Sequence, residues 1–189
     1  GLFKARPSEY SAQVMVAALT PESAEVGGQE ADGIMPFLTG RSYVKTLVNT
    51  AKNAAKGVGK NPDDIDCVMS IPTFVSDDVD AARSAARYNL AFFGQMPNYR
   101  KQWRASGFED EVNGLEAAWL EKDRKLAATK VSDKMVEEVC VFGTAHQCRD
   151  QLAAFYEAGA AMPILAISPV NENRLVATRK AIELLAPKK

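Results

Sequence analysis

Four apolar runs of strand character, each followed closely by a helix start, constrain this chain more than any other feature. They are "VMVAAL" from Val14, "GIMPF" from Gly33, "CVMSIPTFV" from Cys67 and "PILAISPV" from Pro163. All four are continuous rather than alternating, the pattern of strands covered on both faces in a parallel sheet flanked by helices. Thr20-Pro21 offers a hydroxyl N-cap with proline at the first helical position, and Ser42 precedes Val44, Leu47, Val48 and Ala51 at helical spacing. Ser76-Asp77-Asp78 opens an alanine-rich stretch, and Asn171 stands where it can cap a last helix carrying Leu175, Val176, Ile182 and Leu185. Strand, loop and helix repeated in that order predict an α/β fold with a parallel sheet.

Between the third and fourth runs lies a long helical insertion, from about Val79 to Gly159, punctuated by Pro97, Gly107 and Gly114. It is too long for a simple crossover and should form a lid or side layer of several helices. Phe92, Phe93, Tyr99, Trp103, Phe108 and Trp119 are available to pack it, with core the expected role for aromatics at helical spacing and contact with a substrate the alternative. "TAHQ" at Thr144 to Gln147 has the spacing of a capping box, opening a helix that Gly159 can close.

Composition narrows the functional classes. With 189 residues, 47% hydrophobic and 25% charged, the chain has the profile of one soluble globular domain, and a net charge of -1 gives no electrostatic reason to expect nucleic acid or an acidic membrane surface. No run approaches the roughly 20 apolar residues of a membrane span, and "GLFKARPSEY" lacks the apolar stretch of a signal peptide. Cys67, Cys140 and Cys148 make an odd set with no CxxC pair, so neither a disulfide framework nor a zinc site is signalled, and a reducing cytoplasmic setting fits them. The glycine start is that of a processed end or of a piece of a longer product.

The stretch "AALTPES" is where chemistry is expected. In parallel α/β folds ligands gather at the carboxyl ends of strands, where helix N-termini expose unpaired amides that attract phosphate. Leu19 ends the strand, Thr20 brings a hydroxyl and a cap, and Ser23 adds a hydroxyl on the first turn. The plainer alternative is that Thr20 only caps its own helix. Glu22 opposes an anion, because its carboxylate competes for the same partial positive charge.

Two segments also carry a resemblance. "VMVAALTPESAEVGGQEADGIMPFL" and, far downstream, "SDKMVEEVCVFGTAHQCRDQLAAFYEAGAAMPILAISP" resemble the carboxyl-terminal half of the luciferase-like monooxygenase family, which includes bacterial luciferase and the coenzyme F420-dependent reductases. The most specific parts are "AEVGGQEADGI" and "VFGTAHQCRDQLAAFYEAGA". The resemblance implies a (β/α)8 TIM barrel, of which residues 1–189 supply the last four strands, binding FMN or coenzyme F420 and moving a hydride or activating oxygen. It implies that the cofactor phosphate is held at Leu19, Thr20 and Ser23, that Gly27 and Gly28 serve close packing, and that Asp32-Gly33 forms a turn into the next strand.

A whole barrel takes about 250 residues or more, and the resemblance implies that the absent strands supply the active-site histidine and much of the ring pocket. The catalytic residues are therefore unassigned, with His146 expected on the surface and Cys140 and Cys148 packed among helices. Four strands cut from a barrel leave two free edges and a bare inner face. The expected covering is the amino-terminal half of the barrel or a second copy in a homo-oligomer. Two functions stay open: a flavin- or F420-dependent oxidoreductase acting on a small molecule, or a non-catalytic half-barrel that serves assembly. An unrelated α/β fold holding a sugar phosphate at Thr20 is a third.

Overall fold

The computed structural model describes residues 12–186, so residues 1–11 and the lysine-ended tail 187–189 lie outside the described residues. The chain alternates as expected through β1 (Met15–Ala17), α1 (Pro21–Glu30), β2 (Gly33–Met35), α2 (Arg41–Gly57) and β3 (Asp66–Val75). The insertion then builds α3 (Val79–Phe93), α4 (Pro97–Ala105), α5 (Glu109–Leu120), α6 (Arg124–Thr129) and α7 (Asp133–Val139). A fifth strand that the sequence reading does not contain, β4 (Val141–Gly143), precedes α8 (Ala145–Glu157), β5 (Met162–Ile167) and α9 (Arg174–Leu185).

All strand pairs are parallel. β2 pairs β1 in the register Val16 with Ile34, β3 pairs β2 through Ile34 with Cys67, and β5 lies along β3 from Val68 with Met162 to Thr73 with Ile167. β4 pairs the carboxyl end of β3, Thr73 to Val75. Parallel partners share a face, so Ile34, Cys67, Met69 and Ile71 turn to the outer side and form one core with Val44, Leu47, Leu152 and Phe155 of the flanking helices. A second core, built on Trp103, Phe108, Leu115, Met135 and Val139 of the insertion, takes in Leu38, Phe74 and Phe142 at the carboxyl ends of the strands. The insertion therefore sits over the strand ends.

Two-sided coverage holds for β3 and the short β4 but fails at β2 and β5. On the opposite face Met35 and Ile164 are exposed, and Met162 is 57% exposed. The continuous apolar runs are written for a sheet with both faces covered, and among the described residues nothing covers this one.

Close packing of α1 explains "VGG". A Cβ on Gly28 would lie 2.0 Å from the Ala51 carbonyl oxygen of α2, and one on Gly27 would lie 2.5 Å from Ile34 Cγ2. The Lys60 ammonium donates to the carbonyls of Gly28 (3.3 Å) and Ala31 (2.7 Å), placing a cation at the negative end of the helix. Two cap assignments change. Asn171 has a left-handed backbone (φ 54°) in the turn before α9, and Asn173 is the cap, its Oδ1 accepting the Val176 N–H at 3.0 Å. The N-cap of α2 is Gly40, two residues before Ser42, and it has no side-chain cap bond of its own. The Asp78 cap on α3 and the Thr144–Gln147 capping box on α8 match the sequence, and Gly159 (φ 103°) follows α8.

Candidate functional site

The carboxyl end of β1 runs through Ala18 and Leu19 into the cap of α1. Thr20 and Ser23 form a complete capping box: the Ser23 N–H donates to Thr20 Oγ1 at 3.4 Å and the Thr20 N–H to Ser23 Oγ at 3.1 Å. The Ser23 hydroxyl donates in turn to the Thr20 carbonyl at 2.9 Å. Leu19, Thr20 and Ser23 are half-buried and adjacent. Of the first-turn amides, Pro21 has none, that of Ser23 is capped and that of Ala24 bonds the Thr20 carbonyl at 3.0 Å. The Glu22 N–H lies outside the capping box and bonds its own carboxylate instead. The cap is thus more self-contained than the sequence alone suggests.

Charge near this terminus comes from three elements. The Glu22 carboxyl is held below the usual carboxylate range, first by the Thr20 hydroxyl, then by its own helix amide, with Lys101 of α4 adding an attractive charge. Burial raises the Tyr43 phenol on α2, and the Glu22 charge raises it further. Neither Lys101 nor Tyr43 stands out in the sequence, because only the tertiary fold brings them to α1.

The neighbouring strand end is built differently. After β2 the chain turns through Leu38, left-handed at φ 54°, into buried Thr39. The carboxylate of Glu138, from α7, accepts both the N–H and the hydroxyl of Ser42 at 3.0 Å and so fills the N-terminus of α2. From α4, the Gln102 amide donates to the Leu38 carbonyl (3.0 Å) and to Thr39 Oγ1 (2.6 Å), and the Trp103 indole donates to the Leu38 carbonyl (2.8 Å). Phe37 meets Phe93 and Tyr99 edge to face, at 5.5 and 5.9 Å between ring centres. Sequence spacing gives no signal for these contacts, which join residues from 56 (Phe37 to Phe93) to 96 (Ser42 to Glu138) positions apart.

Other candidates fall away. His146 is exposed on α8 and pairs with Asp150 at 2.9 Å, one turn on. Asp32 precedes β2, at the amino ends of the strands, where its carboxylate accepts the Val14 N–H at 2.7 Å. The thiols are buried among apolar side chains, which pushes Cys67 up to about 12 and Cys148 to about 11 and raises Cys140 as well. Such thiols stay protonated and inert at neutral pH. Among the described residues no group of acidic, histidine or cysteine side chains is arranged to hold a metal ion, and no helix is long and apolar enough to cross a membrane.

The model of the luciferase-like monooxygenases matches residues 2–162. The chain is 27% identical over 184 residues to the 5,10-methylenetetrahydromethanopterin reductase of Archaeoglobus fulgidus, a match that covers 93% of this chain and 52% of that protein. The structure of the coenzyme F420-dependent tetrahydromethanopterin reductase from Methanopyrus kandleri superposes with a TM-score of 0.73 at 20% identity, over 92% of this chain and 48% of the other. An F420-dependent secondary alcohol dehydrogenase, solved with an F420–acetone adduct, superposes with a TM-score of 0.63 at 17% identity, over 95% and 50%. The chain spans about half the length of these relatives. Its parallel strands and outer helices are those of part of a (β/α)8 TIM barrel, and with the family model matching most of its length this chain belongs to the luciferase-like monooxygenase family.

Proposed function

We propose that this chain supplies the cofactor-phosphate end of the strand-end site in an F420- or FMN-dependent oxidoreductase. Leu19, Thr20 and Ser23 are the anchor, and the insertion walls a pocket for a small-molecule substrate. The observation that carries the reading is the N-terminus of α1, a ten-residue helix that starts directly off the carboxyl end of β1. This is where parallel α/β folds collect anionic ligands. The N-terminus of α2 is already filled by Glu138 from a distant helix, whereas that of α1 meets its own cap residues, the exposed Glu22 carboxylate and the charge of Lys101.

A phosphate fits this terminus. The Glu22 amide and the Thr20 hydroxyl are not used as donors by the capping box but are held by the exposed Glu22 carboxylate, so a phosphate gains them by displacing that carboxylate. Lys101 supplies positive charge and Glu22 subtracts some of it. The sequence relative is a reductase and the two structural relatives described above are F420-dependent, which supports F420, while a monooxygenase of the same fold solved with FMN keeps FMN as the second reading. When bound, such a cofactor supplies the hydride chemistry. The residues of this chain hold its anionic end, and the aromatic cluster of Phe37, Phe93 and Tyr99 keeps water from the strand ends. The exposed inner face of the sheet is covered by the remaining strands of the barrel, which bring the acid–base groups.

The test is titration of the natural polypeptide that carries this chain with F420, followed by fluorescence, and with FMN, followed by absorbance. Saturable binding of one of them, weakened by Thr20→Ala together with Ser23→Ala, is the expected result. No binding of either cofactor overturns the reading.

A further inference from the structure

Two costly features meet in the β2–α2 loop. Leu38 holds a left-handed backbone that a leucine rarely adopts, at φ 54° and fully buried. Gln102, 1% exposed, donates through Nε2 to the carbonyls of Leu38 (3.0 Å) and Phe37 (3.4 Å) and to Thr39 Oγ1 (2.6 Å), while its Oε1 is buried without a partner. The opposite amide orientation would set Oε1 against two carbonyl oxygens, so the orphan acceptor is the consequence of aiming the donor at the loop. An apolar side chain at this site would leave no orphan on α4, but it would withdraw the donor from the loop.

The same loop is gripped from a second side. Glu138 takes the N–H and hydroxyl of Ser42, and the Arg41 guanidinium lies 3.6 Å from the same carboxylate. Gln102 and Trp103 on α4 and Glu138 on α7 are thus all contributed by the insertion. Their neighbour Lys101 acts on Glu22 at the first turn of α1, and the Ala18 N–H of the preceding strand end bonds the Met35 carbonyl at 3.3 Å. The gripped loop and the proposed phosphate anchor therefore follow the carboxyl ends of two adjacent, paired strands.

We infer that Gln102 is a positioning residue, which with Trp103 and Glu138 fixes the β2–α2 loop in its left-handed course and so sets the shape of the cofactor site. The inference rests on the cofactor reading for that site and adds to it a role for the insertion. Strained backbone and an unsatisfied buried acceptor concentrate where a fold trades stability for preorganised geometry.

The experiment measures amide hydrogen exchange, cofactor affinity and melting temperature for Gln102→Met and Gln102→Glu in the natural polypeptide. Met keeps length and bulk without the donor, and Glu keeps the planar head but turns oxygens toward carbonyls. Exchange in residues 37–42 should accelerate by about tenfold or more with the rest of the sheet unchanged, and the dissociation constant for F420 or FMN should rise by about tenfold, following the sensitivity of bound geometry to small displacements. Unchanged exchange in the loop, or an even acceleration across the whole chain, overturns the positioning role. Local acceleration with unchanged affinity overturns the link to the cofactor site. If wild type and variants alike bind no cofactor while the loop still loosens, the hold on the loop stands and the cofactor reading falls. Should the Gln102 variants fail to fold, Glu138→Ala at the half-exposed rim carries the test: exchange at Ser42 should rise with the same loss of affinity, and unchanged exchange there overturns the inference.

Discussion

Thr20 serves two ends that can be separated by experiment. It caps α1 through the Ser23 N–H and presents a hydroxyl at the strand end. Thr20→Ala together with Ser23→Ala should weaken cofactor binding by about 1–3 kcal/mol if both hydroxyls serve a desolvated phosphate. Loss of the cap alone costs about 1 kcal/mol of stability, and Thr20→Ser, which keeps the hydroxyl, should restore both properties. Calorimetric titration beside thermal melts distinguishes them: a stability loss with unchanged affinity would reduce Thr20 to a cap. Glu22 gives a charge test of opposite sign. Its carboxyl titrates below the ordinary carboxylate range because the ionised form accepts bonds from Thr20 and its own amide. Glu22→Gln should tighten cofactor binding roughly two- to fivefold at neutral pH, the size of a first-turn charge effect. In wild type, affinity should rise as the pH falls through that depressed pKa, and in Glu22→Gln that rise should be missing. Identical pH profiles would place the anion elsewhere.

At the scale of elements, what was legible in the sequence was whatever is encoded locally. The α1, α3 and α8 starts were readable because the capping side chain and its amide partner lie within a turn of each other. β4 was not, since three residues between a helix and a capping box become a strand only by pairing with Thr73 to Val75, far back in the chain. The external capping of α2 by Glu138 is hidden for the same reason, with 96 residues between the partners. The proposed anchor was readable as a strand end followed by a cap, but its modifiers Lys101 and Tyr43 were not. Asn171 misled because asparagine suits both a cap and a left-handed turn, and here it takes the turn. The glycines of α1 and α2 offer a paired prediction. Gly28→Ala should destabilise by about 1–3 kcal/mol, because its methyl must push Ala51 away and part the two helices. Gly57→Ala, with nothing within 4 Å of its Cβ, should stabilise by about 0.4–1 kcal/mol. Equal effects at the two positions in denaturant titrations would contradict the close approach of α1 to α2.

At the scale of the whole molecule, the apolar inner face of the sheet and the exposed Leu175 and Ile182 of α9 describe an incomplete barrel wall. Proteins seldom leave such a face to water. If the remaining strands of the barrel cover it in the natural polypeptide, Ile164→Asp should destabilise by more than about 2 kcal/mol, the cost of burying an unpaired charge. A solvent-facing position would shift by no more than about 0.5 kcal/mol, and that result would leave the sheet without its missing half. The measurement that bears most directly on the account is the crystal structure of the natural polypeptide with its cofactor bound. The account predicts electron density for the phosphate against the first turn of α1, within hydrogen-bond reach of the Thr20 hydroxyl and the Glu22 amide. A phosphate held at any other strand end, with the α1 cap closed on itself, would contradict it.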